Sequence, residues 1–108
     1  MVETPSKHDV FQAISDPTRR GLLKLLAEKE MPIAAITGYF PISRTAVNKH
    51  LKVLSDAGLV SSQKVGRETR YKLTPEPLVA IKDWLIFFEQ YWDAKLSALK
   101  DYVENDDH

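Results

Sequence analysis

Ile42-Ser43-Arg44-Thr45-Ala46-Val47-Asn48-Lys49-His50-Leu51-Lys52-Val53-Leu54-Ser55-Asp56-Ala57-Gly58-Leu59-Val60 is the stretch whose reading decides the fold. Val47, Leu51 and Leu54 recur at i, i+4 and i+7, which gathers them on one face of an α-helix, with Ala46 and Ala57 beside them. Ser43 is the residue type that starts a helix by accepting from a backbone N–H, and Gly58 stands where a left-handed residue ends one. The opposite face carries Arg44, Thr45, Asn48, Lys49 and Lys52. The segment is therefore a helix with an apolar inner stripe and a polar, basic outer face.

Working outward, Ile33, Ala34, Ala35, Ile36, Tyr39 and Phe40 predict a short helix closed by a turn at Pro41-Ile42. Together the two segments form a helix-turn-helix pattern over about 33–57. Upstream, Asp16 before Pro17 signals a helix start, and Leu22, Leu23, Leu25, Leu26 and Ala27 give it a buried stripe with Arg19, Arg20, Lys24 and Lys29 outside. That helix runs over about 17–29 and is broken by Met31-Pro32; Val10, Phe11, Ala13 and Ile14 predict a shorter one before it.

Downstream, residues 59–65 and 69–73 read as two strands joined through Gly66-Arg67-Glu68, a hairpin or wing over about 59–73. Thr74-Pro75-Glu76-Pro77 then punctuates the chain before a terminal helix over about 77–103. It carries one apolar series (Leu78, Ile81, Leu85, Phe88, Trp92, Leu99, Val103) and a second on an adjacent face (Trp84, Phe87, Tyr91, Ala94, Ala98, Tyr102). One stripe packs a helix on its own domain; a second implies another partner. The expected architecture is mainly α with a small β-hairpin wing, about five helices and two strands in one domain.

Charge sharpens this reading. The 108 residues hold 15 Lys+Arg against 15 Asp+Glu, which at first argues against a polyanionic partner. Residues 43–73, however, contain seven basic side chains (Arg44, Lys49, Lys52, Lys64, Arg67, Arg70, Lys72) and two acidic ones (Asp56, Glu68), whereas residues 74–108 contain three basic and eight acidic. Neutrality is a cancellation between a basic middle and an acidic end, as expected when one face meets a polyanion. The chain has no cysteine, which excludes thiolate metal sites and a cysteine nucleophile. Ser43, His50 and Asp56 are the available ingredients of a triad, but they share one helix, and offsets of seven and six residues rise about 10 and 9 Å, too far for mutual hydrogen bonds. No enzyme is expected. Without a signal-peptide pattern or a long apolar run, the expected location is the cytoplasm.

Ala13-Ile14-Ser15-Asp16-Pro17-Thr18-Arg19-Arg20, the 42–60 stretch, Gly66-Arg67 and Tyr71-Lys72-Leu73 together resemble the ArsR-type winged helix-turn-helix transcriptional repressors. The resemblance covers residues 10–73. It implies a homodimer on a partly palindromic DNA operator, with the recognition helix in the major groove, the wing beside or in the minor groove, and the terminal helices as dimer interface. It does not imply a metal sensor. Where arsenic-sensing members carry Cys-x-Cys this chain reads Met31-Pro32-Ile33, and its last helix has no histidine before His108. Glu89 and Asp93 are read as a solvated helix face, and His8, His50 and His108 share no ligand spacing. No cofactor is implied.

The expected DNA contacts follow from side-chain chemistry. Arg44 can fork onto guanine, Asn48 can pair with adenine and Thr45 can meet a thymine methyl, while Lys49, Lys52, Lys64 and Arg70 suit phosphates. Arg67 at the wing tip suits a narrow minor groove or is a plain turn residue. Ser43 is an N-cap with or without a phosphate contact, and His50 either packs or reaches a phosphate. Phe11, Trp84, Leu85, Phe88, Tyr91 and Trp92 are the expected dimer interface; the same aromatic cluster would receive a small-molecule inducer or serve only as dimer core. The competing reading is a winged-helix protein-interaction module with no specific DNA target.

Overall fold

Asp16 accepts the backbone N–H groups of Thr18 and Arg19 at 2.8 and 3.1 Å, and Pro17 occupies the first helical position, where a missing N–H costs nothing. This cap starts a helix of 12 residues. The computed structural model describes residues 9–106. Its elements in chain order are α1 (Val10–Ala13), α2 (Pro17–Glu28), β1 (Met31–Pro32), α3 (Ile33–Thr37), α4 (Arg44–Asp56), β2 (Val60–Val65), β3 (Glu68–Leu73), a 3-10 turn (Glu76–Leu78), α5 (Val79–Phe87) and α6 (Glu89–Asp106). His8 and His108 lie outside the described residues.

The decisive stretch folds as its pattern dictates. Ser43 Oγ accepts the Ala46 N–H at 3.1 Å, and Val47, Leu51 and Leu54 are buried. The helix ends in a Schellman motif: Leu59 N–H donates to Leu54 O at 2.9 Å, Gly58 N–H to Ser55 O at 3.0 Å, and Gly58 adopts φ +79°. Leu54 and Leu59 are both fully buried, so the cap is fastened by the apolar contact that commonly accompanies it. With Ala13, Leu22, Leu23, Leu26, Met31, Ile33, Ile36 and Val60 they make a core in which each fully buried Leu or Ile side chain contributes roughly 1.5–3 kcal/mol.

The wing is a hairpin with Val65 opposite Glu68, leaving Gly66 and Arg67 as a two-residue loop. Gly66 has φ +66° and among the described residues no non-glycine residue has positive φ, the pattern of a type II′ turn, which matches the twist of the flanking strands. Two features differ from expectation. Met31-Pro32 is not merely a break: it forms a third strand on the free edge of β3, with Met31 opposite Tyr71 and Pro32 opposite Arg70, giving the order β1-β3-β2. Proline is tolerated there because it sits at an edge. The terminal helix expected over about 77–103 is also divided. At Phe88 the backbone tightens to i→i+3 bonds, Phe88 N–H to Leu85 O and Tyr91 N–H to Phe88 O, each 2.9 Å, so α5 and α6 are separate helices. Aromatic packing accompanies the break: Phe88 meets Trp84 and Phe87 with centroids 5.0 Å apart. Among the described residues no helix is long and apolar enough to cross a membrane.

Candidate nucleic-acid interface

Packing decides which face of α4 is free. With Val47, Leu51 and Leu54 turned into the core, Arg44, Thr45, Asn48, Lys49 and Lys52 are left exposed on the other side. Arg44, Asn48 and Lys49 make no ion pair or side-chain hydrogen bond with other described residues, so their donors and acceptors are available to a ligand. Lys52 lies 3.8 Å from Asp56 one turn on, but is 71% exposed, and such i,i+4 surface pairs are weak enough to be exchanged for another anion. The Ser43 hydroxyl is engaged as cap acceptor, while its O–H can still donate.

The wing places Lys64 on β2 and Arg67 in its loop, both in solvent. Arg67 and Arg44, 23 positions apart in sequence, line one hollow together with Ile33, Glu68 and Thr69, so wing tip and helix start present two guanidinium groups to the same region. A second hollow between α4 and the sheet is lined by Asn48, Lys52, Ser62 and Tyr71. Arg70 sits differently from the other basic residues. Half-buried on β3, it has Nε 3.3 Å from Glu68 Oε1 and Nη1 3.8 Å from Glu30 Oε1, which fastens the loop before β1 to the wing.

His50 lies at the edge of the α4 stripe with its side chain 23% exposed. Its Nδ1 is 3.2 Å from Arg19 Nη1 and 3.9 Å from Asp16 Oδ2. Arg19, read from the pattern as an outward-facing residue of α2, is in fact half-buried and reaches back to Ala13 O at 2.7 Å. Helical spacing gave no sign of this role, because the partners lie on α1 and α4. Burial pushes the Asp16 carboxyl up, but the Arg19 amide, His50, the Thr18 amide and the Arg19 guanidinium outweigh it, leaving Asp16 below the ordinary carboxylate range.

Away from this head, Phe11, Trp84, Leu85, Tyr91 and Trp92 are exposed and Phe88 half-buried, all on α1, α5, α6 or the turn between the last two. Phe11 meets Trp84 at 5.7 Å and Phe88 meets Tyr91 at 6.3 Å, so the six candidate interface residues include one continuous aromatic cluster. No group of three or more metal-ligating side chains occurs among the described residues.

The family model described as "Bacterial regulatory protein, arsR family" matches residues 16–62, which take in α2, the helix-turn-helix and only the first residues of β2. The HTH-type transcriptional regulator Rv2034 of Mycobacterium tuberculosis is 31% identical over 96 residues, covering 89% of this chain and 87% of that protein. This chain belongs to the ArsR family. Another relative, the transcriptional repressor SdpR of Bacillus subtilis, is 36% identical over 81 residues, 75% of this chain and 90% of SdpR. Among solved structures, an ArsR-like transcriptional regulator from Rhodococcus sp. RHA1 superposes with a TM-score of 0.70 at 38% identity, covering 89% of this chain and 88% of that one. As a member of the ArsR family the chain is a DNA-binding transcriptional regulator with a winged helix-turn-helix fold, not an enzyme.

Proposed function

We propose that this ArsR-family regulator is a homodimeric cytoplasmic repressor that occludes a promoter by binding a partly palindromic operator. The observation that carries the reading is the free polar face of α4, where Arg44, Asn48 and Lys49 have no partner among the described residues while the opposite face is locked into the core. Arg44, Asn48 and Thr45 read base edges in the major groove; Ser43, Lys49, His50, Lys52 and Lys64 engage phosphates; Arg67 approaches the minor groove. Arg70 touches a phosphate only by exchanging its two carboxylates, so its larger role is to hold the wing in place.

The exposed aromatic face on α1, α5 and α6 supports a second copy as the partner. Two-fold symmetry then sets two α4 helices about 34–36 Å apart, one turn of duplex DNA. The repressor relative SdpR supports repression as the direction of regulation. A small-molecule inducer would act at the aromatic cluster, by preferring a dimer whose α4 helices are wrongly spaced for DNA. Selection of a bound fragment from random genomic DNA, followed by footprinting, tests the reading: it predicts two half-sites about 10 base pairs apart, centre to centre. Recovery of no enriched fragment would favour the protein-interaction reading instead.

A further inference from the structure

Arg19 ties three helices together. Its Nε donates to Ala13 O at 2.7 Å and its Nη2 to Gln12 O at 3.3 Å, both at the C-terminal end of α1, while Nη1 lies 3.2 Å from Nδ1 of His50 on α4. A guanidinium has only donors, so the contact with His50 is a hydrogen bond when Nδ1 carries the lone pair, and the proton of the neutral ring then sits on Nε2. Nε2–H has no partner among the described residues. Capping α1 does not by itself require this arrangement, since Arg20 also donates to a carbonyl past the end of α1, Ile14 O at 2.7 Å, without touching α4. The link from α1 continues outward through Phe11, which packs on Trp84 of α5.

We propose that Arg19 is a positioning residue for DNA recognition: it fixes His50 as the Nε2–H tautomer and sets α4 against α1, so that Nε2–H donates to an operator phosphate. This rests on the operator reading above. Arg19 itself touches no DNA, and the neutral imidazole releases no counterion, so the strut contributes affinity without contributing to the salt dependence.

Long-range 1H–15N spectra of the 15N-histidine-labelled protein test the first half without any DNA. The expected result is a His50 Nδ1 signal of lone-pair type and a protonated Nε2, with the Nε2 proton shifting when the selected operator fragment is added. A proton on Nδ1, or no shift on binding, overturns the proposal. In fluorescence anisotropy, Arg19→Met is expected to weaken operator binding about tenfold, as for loss of one well-placed hydrogen bond to an anion, with the salt slope unchanged. The same change in a His50→Ala background should cost nothing further. Additive losses, or a slope reduced by about one as for a direct phosphate contact, contradict it. If wild type binds no DNA at low salt, the operator reading fails while the spectrum still decides the tautomer.

Discussion

The ring of Phe11 meets the ring of Trp84 nearly edge-on, at 78° with centroids 5.7 Å apart. Edge-to-face packing of this kind is worth roughly 0.5–1.5 kcal/mol beyond the area it buries. It joins the first helix to the terminal one, yet Phe11 remains 42% and Trp84 53% exposed, so the pair forms the floor of a surface rather than a core. A second copy of the chain covers that surface in the proposed homodimer.

The proposed dimer is therefore expected to break from this face. Trp92→Asp places a charge amid the exposed aromatics and is expected to give a monomer in sedimentation equilibrium with unchanged helix content. An intact dimer would remove α5 and α6 from the interface.

Base reading and phosphate contact separate by mutation. Arg44→Ala should cost about 1–3 kcal/mol on the operator and relax preference at one base position, as loss of a bidentate contact does. Lys52→Ala should weaken specific and random DNA alike and lower the salt slope by about one. Equal losses on both DNAs for Arg44→Ala would show that it contacts phosphate only.

The cap at Asp16 predicts an acid-dependent stability. Because its pKa is lower folded than unfolded, its contribution is fully present above about 3.9 and is lost as pH falls through the folded value. Asp16→Asn keeps the cap acceptor but loses the charge, so urea unfolding should find it less stable than wild type at neutral pH and equal to it near pH 2. A gap that persists in strong acid contradicts this; Asp16→Ala, which loses the acceptor too, should keep a cost of about 1 kcal/mol in acid and show a larger one at neutral pH.

Removing Leu54 tests the packing that orients α4. It is fully buried and shared between the helix stripe and the Schellman cap with Leu59. Leu54→Ala is expected to cost about 2–5 kcal/mol in chemical denaturation. A cost under about 1 kcal/mol would mean that the helix is held elsewhere.

Much of this architecture is legible in the sequence because periodicity and capping agree over long stretches. Val47, Leu51 and Leu54 with Ser43 and Gly58 specify α4 and both its ends, and Gly66 specifies the turn of the wing. What escaped is non-local. Two residues, Met31 and Pro32, are too few to show a strand period, and their pairing with β3 depends on a segment about 40 positions away. The bend at Phe88 has no glycine or proline to announce it and arises where aromatic rings pack around one tightened turn. Charge counting likewise groups Arg70 with Lys49, Lys52 and Lys64, and its pairing with Glu30 becomes visible only once β1 has folded onto β3. Arg19 was concealed for the same reason.

The net charge of zero is consistent with a DNA-binding head only if the basic face acts locally, and salt tests that claim most directly. Titration of labelled duplex carrying the selected operator, from about 50 to 200 mM salt, should show affinity falling linearly on a log–log plot by about a thousandfold or more, as neutralising about six phosphates requires. Binding that is undetectable at low salt, or that does not change with salt, would contradict the account.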